Sequence, residues 1–309
     1  MWPTIEEVVR EYLARHAKPK KRSWREDRRM LERDVLPSWR RRRARDVTAR
    51  DVRRLLDAIV DRGAPIQANR TLAVVRRLFN WAAAPDRAMV PQGHNPCRGL
   101  ERPAPERQRE RVLSADELRA LWRALDAEPP DVASLFRLYV LTAQREAEVR
   151  TMRWAEVDLV AGWWTIPAAR AKNGRAHRVP LSPPAVAVQR ALDFGRSGWV
   201  FPGRGTSGCH GRPYKAMHRL RRASGVADFT PHDLRRTAAS HMTSMGVPRL
   251  TVSKLLNHAE RGVTAVYDRY GYDREKMEAA VVWAERVEEI VHGRSRVGPI
   301  GFRPASRRG

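Results

Sequence analysis

Cysteines and long apolar runs are both scarce in this sequence. The 309 residues include two cysteines, Cys97 and Cys209, which are too few and too far apart for a disulfide scaffold or a four-cysteine zinc site. His94 and Cys97 have the spacing of a metal-ligand pair, but no second pair stands near them, so we expect no metal. The best apolar stretch, 132–143, is shorter than the roughly 20 residues of a membrane helix and contains Arg137. No signal-like apolar segment follows the N-terminus, so we expect no membrane partner.

Acidic residues are also in short supply. The 60 Lys and Arg outnumber the 35 Asp and Glu, which gives a net charge of +25. Such an excess of cations attracts polyanions, and nucleic acid is the commonest large polyanion in a cell. Hydrophobic residues make up 42% of the chain and Trp occurs ten times, so there is enough apolar material for sizeable cores. The composition therefore predicts a folded nucleic-acid-binding protein, and the length favours two domains.

The first hundred residues show almost no strand pattern, since their apolar residues recur at three- and four-residue spacing. This spacing predicts a helical domain over 1–90, with helices over 23–36 and 72–81 and another that begins after Thr48. A run of arginines is often only a solvated surface, but here basic residues recur beside several helices, which favours a surface that faces DNA. The residues predicted to contact DNA in this domain are Lys20, Lys21, Arg22, Arg40, Arg41, Arg42 and Arg43.

A proline-rich segment separates this domain from the rest of the chain. Four prolines interrupt any helix over 91–111, which we interpret as an interdomain linker. A second domain is expected over 112–292, followed by a basic disordered tail over 293–309. The first helix of the second domain should begin after Ser114, because Glu117 is correctly spaced for a capping box.

The second domain combines helices with a few strand-like segments. A helix is predicted over about 132–143, and strands are predicted over 154–159, 163–166 and 177–181 with turns between them. The chain then becomes helical again and ends in a long amphipathic helix over about 274–291. The predicted fold class is mostly α, with a small antiparallel β-sheet in the second domain.

Side chains with catalytic potential lie in separated clusters of the second domain. Arginine forks match the paired non-bridging oxygens of a phosphodiester and offset the charge that builds up at a five-coordinate phosphorus. A histidine can move a proton near neutral pH, a lysine can protonate a leaving alkoxide, and a tyrosine can be a covalent nucleophile. No cluster of Asp and Glu of the kind that holds magnesium accompanies them in the sequence, which argues against a two-metal nuclease. The candidate catalytic residues are Arg145, Lys172, His232, Arg235, His258 and Tyr267.

At these clusters the sequence resembles the tyrosine recombinases, or phage integrases. Residues 171–181, AKNGRAHRVPL, resemble the integrase hairpin, and residues 230–237, TPHDLRRT, resemble its His-x-x-Arg box. His258 and Tyr267 are nine residues apart, which is the family's usual spacing. Each motif alone is weak, but five motifs in the family's order are very specific, and the resemblance covers nearly the whole chain.

The resemblance implies a helical core-binding domain followed by an α+β integrase-type catalytic domain, and it assigns roles to single residues. Arg145 and Arg235 would clamp the scissile phosphate, and His258 would hydrogen-bond one of its oxygens. Glu148 matches an acidic position near the first arginine, where it would support and orient rather than react. Arg236, beside Arg235, would contact the DNA backbone or an acidic neighbour.

The resemblance also implies the chemical step. Tyr267 would attack the phosphorus and give a 3′-phosphotyrosyl link with a free 5′-hydroxyl. Lys172 would be the general acid for the departing 5′-oxygen, while His232 assists proton transfer. The link conserves the bond energy, so no metal, cofactor or ATP is expected. Tyr270, three residues after Tyr267, is the rival nucleophile.

The function implied is site-specific DNA recombination in the bacterial cytoplasm or nucleoid. Its partners would be double-stranded attachment sites, three further copies in a homotetramer on DNA, and possible directionality or DNA-bending proteins. The stripe Met277, Ala280, Val281, Ala284 and Val287 is predicted to dock on a neighbouring protomer. Two alternatives stay open: a topoisomerase-like or telomere-resolving strand transferase, and a decayed integrase that only binds DNA as a repressor or accessory protein.

The chain departs from the family's usual pattern in three respects. Ala143 and Ala147 stand where the first motif usually has Gly, and Asn257 stands where the fourth motif usually has Gly before its histidine. Added side-chain atoms could shift tight turns at these positions. The chain also begins almost directly with the core-binding helices, so we expect either a simpler recombinase or a missing N-terminal arm-binding domain.

Overall fold

The chain folds into two compact units, Met1–Gln108 and Arg109–Gly309. The computed structural model describes residues 1–171, 173–192, 198–203, 208–258 and 271–293. These residues are mostly helical and include a three-stranded antiparallel sheet, which confirms the predicted fold class. The predicted domain boundaries and linker stay a prediction, and the predicted tail lies outside the described residues from 294 onward.

The first unit is helical throughout its described elements. Thr48 caps a helix as expected: its Oγ1 accepts from the Asp51 backbone N–H (3.3 Å), and the Asp51 carboxylate accepts from Thr48 N (2.9 Å). The predicted helix over 23–36 is two α-helical pieces joined by a π-helical turn, Leu31–Val35. Cys97 is buried in the core of this unit, so part of the proline-rich segment packs here. Its helices are α1 (Ile5–Tyr12), α2 (Lys18–Lys20), α3 (Trp24–Met30), α4 (Leu36–Trp39), α5 (Ala49–Asp61) and α6 (Pro65–Ala82).

In the second unit, helices and the small sheet pack around one hydrophobic core. Its first helix begins after Ser114, whose Oγ accepts from Glu117 N (3.2 Å) while the Glu117 carboxylate accepts from Ser114 N (2.9 Å), and this confirms the predicted capping box. Its helices are α7 (Ala115–Ala124), α8 (Pro130–Thr142), α9 (Glu146–Arg150), α10 (Pro183–Arg190), α11 (Tyr214–Ser224), α12 (Pro231–Ser244), α13 (Arg249–Leu255) and α14 (Asp273–His292).

The sheet consists of β1 (Val157–Asp158), β2 (Trp163–Ile166) and β3 (His177–Pro180) in the order β1-β2-β3. Adjacent strands are antiparallel, and the β2–β3 pairing ends where Ile166 faces His177. The strand predicted over 154–159 is wrong in its first half, because residues 154–156 form a 3₁₀ turn in which the Glu156 carboxylate accepts from the Arg153 backbone N–H (3.2 Å).

The long helix α14 packs into the core of its own unit. Ala280, Trp283, Ala284 and Val287 are buried, and Trp283 Nε1 donates to the Val140 carbonyl (2.8 Å). The prediction that this apolar stripe docks on a neighbouring protomer is therefore wrong for Ala280, Ala284 and Val287, because the chain already covers them.

Candidate active site

The turn after α8 sets the position of Arg145. Ala143 has φ 53°, in the left-handed region that residues other than glycine seldom adopt, and this reversal places Arg145 at the N-cap of α9. Arg145 N donates to Glu148 Oε2 (3.4 Å), and Arg145 Nη1 donates to Glu148 Oε1 (3.1 Å). Glu148 is buried, while Arg145 exposes 22% of its side chain. Glu148 thus holds both the backbone and the guanidinium of Arg145, which fits a supporting role.

Helix α12 carries the His-x-x-Arg box from its first turn. Thr230 Oγ1 accepts from Asp233 N (3.4 Å), and Asp233 Oδ2 accepts from Thr230 N (2.9 Å), so a capping box fixes the helix start. Pro231 occupies the first helical turn, where its missing N–H costs nothing. His232 and Arg235 follow three residues apart and lie on one face of the helix.

Arg235 lies beneath the surface and binds two backbone carbonyls. Its Nη1 donates to the Ala143 carbonyl (2.9 Å) and its Nη2 donates to the Leu256 carbonyl. The side chain is almost completely covered, with 2% of the residue exposed. Burial, together with the neighbouring Arg145 charge, lowers the pKa of Arg235 to about 10, so the guanidinium stays charged at neutral pH.

The turn after α13 completes the cluster. Asn257 has φ 51°, also left-handed, and its carbonyl accepts a hydrogen bond from Arg145 Nη2 (3.2 Å). The next backbone N–H, that of His258, donates to the Ser253 carbonyl (3.0 Å), which fixes the residue at the end of the helix. Hydrogen bonds from Arg145 and Arg235 therefore join the turn after α8 to the turn after α13, which ends at His258.

Both histidines of the cluster favour the neutral form. Burial lowers the pKa of His232, and the charges of Arg236 and Arg235 lower it further. Burial also lowers the pKa of His258, with contributions from Arg235, Arg145 and His232. At neutral pH two guanidinium cations thus lie beside two neutral imidazoles, an arrangement that can bind an anion and accept a proton next to it.

The hairpin between β2 and β3 reaches the same turns. Asn173 Nδ2 donates to Asn257 Oδ1 (2.6 Å). His177 Nε2 lies 3.1 Å from the Leu255 carbonyl oxygen, and burial lowers the pKa of His177 to about 4, so the neutral ring donates this hydrogen bond. Asn173 and His177 are therefore both held against the end of α13.

The structure brings most of the predicted site residues together. Lys172, Tyr267 and the rival nucleophile Tyr270 lie outside the described residues, and their roles stay predictions. The predicted residues found in one cluster are Arg145, Glu148, His232, Arg235 and His258.

Several of the basic residues predicted to contact DNA have partners inside the protein. Lys21 pairs with the buried Asp27 (2.5 Å), and Arg42 pairs with Asp51 (2.8 Å). Arg43 Nη1 donates to the Trp2 carbonyl (2.9 Å). The residues of this set that are exposed are Lys20, Arg22, Arg40 and Arg41.

Two contacts of the site were missed by sequence reasoning. Asp233 is fully buried and accepts from Arg109 Nε (2.8 Å), which was not expected. It also accepts from Arg236 (2.8 Å), so Arg236 has the acidic neighbour that was one of its two predicted alternatives. The pairing of Asn173 with Asn257 was also unforeseen, although an asparagine in place of the usual glycine was a signal.

Neither a metal cluster nor a membrane helix is found in the described part of the chain. No group of three or more His, Cys, Asp or Glu side chains there could hold a metal ion. No helix among the described residues is both long and apolar enough to cross a membrane.

Comparisons with known proteins give consistent matches along the chain. The model of the phage integrase family matches residues 111–274, and that of the phage integrase central domain matches residues 5–98. Prophage integrase IntZ of Escherichia coli is 30% identical over 275 residues, which cover 85% of this chain and 65% of that protein. Tyrosine recombinase XerC of Xylella fastidiosa is 27% identical over 243 residues, 74% of each chain. The chain thus spans about two thirds of the length of the Escherichia coli relative.

A solved structure shares the fold. A lambda integrase tetramer bound to a Holliday junction matches with a TM-score of 0.67 at 19% identity, over 84% of this chain and 78% of that one. At this identity the match shows a common fold.

Proposed function

Because the chain belongs to the phage integrase family, we propose that it is a site-specific DNA recombinase that works through a covalent 3′-phosphotyrosyl intermediate. The observation that carries this proposal is the cluster of Arg145, Arg235, His232 and His258 around two adjoining turns. Two cations beside two neutral imidazoles suit a phosphodiester, whose charge rises as the phosphorus becomes five-coordinate.

Phosphate binding comes first in this proposal. Arg145, with 22% of its side chain exposed, reaches the non-bridging oxygens directly, and the nearly covered Arg235 adds its charge from beneath. His258 donates to one of these oxygens from the turn after α13. Glu148 keeps Arg145 in place through the two hydrogen bonds described above.

Cleavage then transfers the phosphoryl group from O5′ of the DNA to the hydroxyl oxygen of Tyr267. Tyr267 Oη attacks the phosphorus and gives its proton to the neutral His232, while the bond between phosphorus and O5′ breaks and Lys172 protonates that oxygen. The products are a 3′-phosphotyrosyl link and a free 5′-hydroxyl. Attack by a partner strand's 5′-hydroxyl reverses the step, so the reaction conserves its bond energy and needs no ATP.

The partners follow from this chemistry. We propose double-stranded attachment sites as substrates and a homotetramer as the assembly that exchanges strands, with possible directionality or DNA-bending proteins. The exposed Lys20 and Arg41 are the best candidates of the first unit for phosphate contacts. A recombinase of this kind acts on the nucleoid in the bacterial cytoplasm.

A suicide substrate tests the proposal. A nicked duplex that carries a candidate attachment site, taken from DNA flanking the gene, traps the covalent adduct because the short cleaved strand diffuses away. Wild type should give a protein band shifted by DNA, Tyr267→Phe should give none, and Tyr270→Phe should behave like wild type.

The other outcomes separate the alternatives. If Tyr270→Phe abolishes the adduct and Tyr267→Phe does not, the nucleophile is Tyr270 while the reaction class stands. Tight, salt-sensitive binding that never gives an adduct on a verified site would leave a DNA-binding protein without catalysis. Supercoil relaxation without recombinant products would indicate a topoisomerase-like enzyme.

A further inference from the structure

Asn257 stands where its motif usually has glycine, and its side chain forms a contact that glycine could not form. Its φ of 51° lies in the left-handed region, where glycine is the least strained residue and asparagine is among the better tolerated alternatives. A glycine would satisfy the backbone here but would offer no side chain. Asparagine adds an amide next to the phosphate-binding cluster.

That amide contacts the loop of the catalytic hairpin. Asn257 Oδ1 accepts from Asn173 Nδ2 at 2.6 Å, and Asn173 directly follows Lys172 in the chain. Asn257 Nδ2 is buried and has no hydrogen-bond partner among the described residues. The side chain is therefore oriented by its contact with Asn173, across 84 residues of sequence.

The backbone of the same residue contacts the phosphate clamp. The Asn257 carbonyl accepts from Arg145 Nη2 (3.2 Å), and the preceding carbonyl, that of Leu256, accepts from Arg235 Nη2. Asn257 thus links Asn173 to Arg145 through two hydrogen bonds, one to its side chain and one to its backbone carbonyl.

The base of the hairpin is fastened separately. Lys276 of α14 donates to the Arg178 carbonyl on β3 (3.0 Å), and the Arg178 guanidinium lies 4.3 Å from the centre of the Trp163 ring on β2. These contacts hold the strands, whereas Asn173 holds the loop beyond the last paired residues, Ile166 and His177. Loss of the Asn173 contact should therefore release the loop without unfolding the sheet.

We propose that Asn257 is a positioning residue for the general acid: its side chain fixes the loop after Lys172 at a set distance from the arginine clamp. The inference rests on the proposed function, because it concerns the protonation of O5′ during cleavage. It predicts that the asparagine supports leaving-group protonation rather than phosphate binding or nucleophilic attack.

The leaving group provides the test. With a substrate whose scissile O5′ is replaced by sulfur, the thiolate departs without a proton, so the general acid is no longer needed. Asn257→Gly and Asn173→Ala should each slow single-turnover cleavage of the oxygen substrate about fivefold to tenfold, the size expected when one hydrogen bond that holds a catalytic group is lost. On the sulfur substrate both variants should cleave at the wild-type rate.

Two comparisons separate this role from a general effect on structure. The double variant should be no slower than either single variant, because both remove the same hydrogen bond. Asn80→Ala is the matched control, since it removes an Asn–Asn contact of the same length, Asn95 Nδ2 to Asn80 Oδ1 at 2.6 Å, in the first unit. It should leave both substrates unaffected.

The results that overturn the inference are distinct from those that overturn the function. Oxygen-substrate rates that stay at the wild-type level in both variants would refute it, and so would an equal slowing of both substrates. A wild-type protein that binds a verified site but forms an adduct with neither substrate would refute the proposed function, and the inference would fall with it.

Discussion

Asp233 is the buried charge that holds the start of α12, and its removal gives a quantitative prediction. The residue has no exposed surface. Its carboxylate accepts hydrogen bonds from Thr230 N (2.9 Å) and Thr230 Oγ1 (2.8 Å), from Arg109 Nε (2.8 Å) and from Arg236 Nη1 (2.8 Å). Asp233→Ala removes the capping box and takes one carboxylate partner from each of Arg109 and Arg236, although Arg109 keeps its ion pair with Asp228 (3.1 Å).

The magnitude follows from these contacts. Loss of a capping interaction costs about 1 kcal/mol. Each charged hydrogen bond to a partly exposed arginine contributes roughly 1 kcal/mol, since about a third of each arginine side chain is exposed and water replaces part of the lost contact. The free energy of unfolding should therefore fall by about 3 kcal/mol, which corresponds to roughly 6–12 °C in Tm for a unit of this size.

The pH dependence has a definite sign. Burial alone would raise the pKa of Asp233, but the hydrogen bonds from Thr230 and Arg109 outweigh it and hold the pKa below its ordinary value. A depressed carboxyl pKa stabilises the fold above the pKa of an unfolded aspartate, about 3.9, and this stabilisation is lost as the pH falls through the folded value. The effect of Asp233→Ala should be complete at pH 7 and should shrink below pH 3.9.

Calorimetry of the full chain at pH 7 is the appropriate assay. The transition of the second unit should move, while that of the first unit serves as an internal reference. Ser114→Ala is the matched control, because it removes the cap of α7 without touching α12 and should cost about 1 kcal/mol. A loss for Asp233→Ala no larger than that of Ser114→Ala would refute the contribution of Arg109 and Arg236.

Three further changes probe the site itself. The rate of single-turnover cleavage should fall in acid solution with a midpoint below that of an ordinary imidazole, because burial lowers the pKa of His232 and the Arg236 charge lowers it further. Arg236→Gln removes that charge and should move the fall to higher pH; an unmoved profile would count against His232 as the titrating base. Glu148→Gln should slow cleavage about tenfold with unchanged affinity in a gel-shift assay, because Arg145 loses a charged partner; a loss of affinity equal to the loss of rate would contradict a role in orientation. Ala143→Gly should change the free energy of unfolding by less than about 1 kcal/mol in urea titrations. Glycine relieves the strain of the left-handed backbone, but it also loses a buried methyl group and has more freedom in the unfolded chain, so these effects offset each other. A stabilisation above about 2 kcal/mol would show that the turn is more strained than its φ implies.

Local signals in the sequence predicted the starts of several helices. The capping boxes at Thr48 and Ser114 involve residues three positions apart, so the sequence contains the whole interaction. These elements are confirmed because the groups that decide them are neighbours in the chain.

The contacts that shape the site could not be predicted in this way. Arg235 reaches the Ala143 carbonyl across 92 residues, and Asn173 reaches Asn257 across 84. Such contacts depend on how α8, α12 and α13 pack, which no local pattern specifies. The motif resemblance grouped Arg145 with Arg235 correctly, but it could not show that backbone carbonyls hold them.

The basic surface of the first unit shows a related limit. The sequence shows how many basic residues the unit contains, but it does not show which of them form ion pairs with acidic residues of the same unit. Lys21 and Arg42 lie in the predicted DNA-binding runs, yet Asp27 and Asp51 pair with them. Charge counting therefore predicts the class of ligand, and the structure is needed to choose the contacts.

Backbone carbonyls rather than carboxylates hold much of the arginine clamp, and this choice matters for the chemistry. The last carbonyls of a helix lack partners within it and carry the negative end of the helix dipole. The carbonyls of Ala143, Leu256 and Asn257 lie at such ends and accept from Arg235 and Arg145. Carboxylates in these places would cancel the positive charge and compete with the phosphate. Among the described residues, Glu148 is the one carboxylate that forms an ion pair with either arginine. The neutral carbonyls orient both guanidinium groups without cancelling their charge, which is what the proposed binding of a phosphate requires.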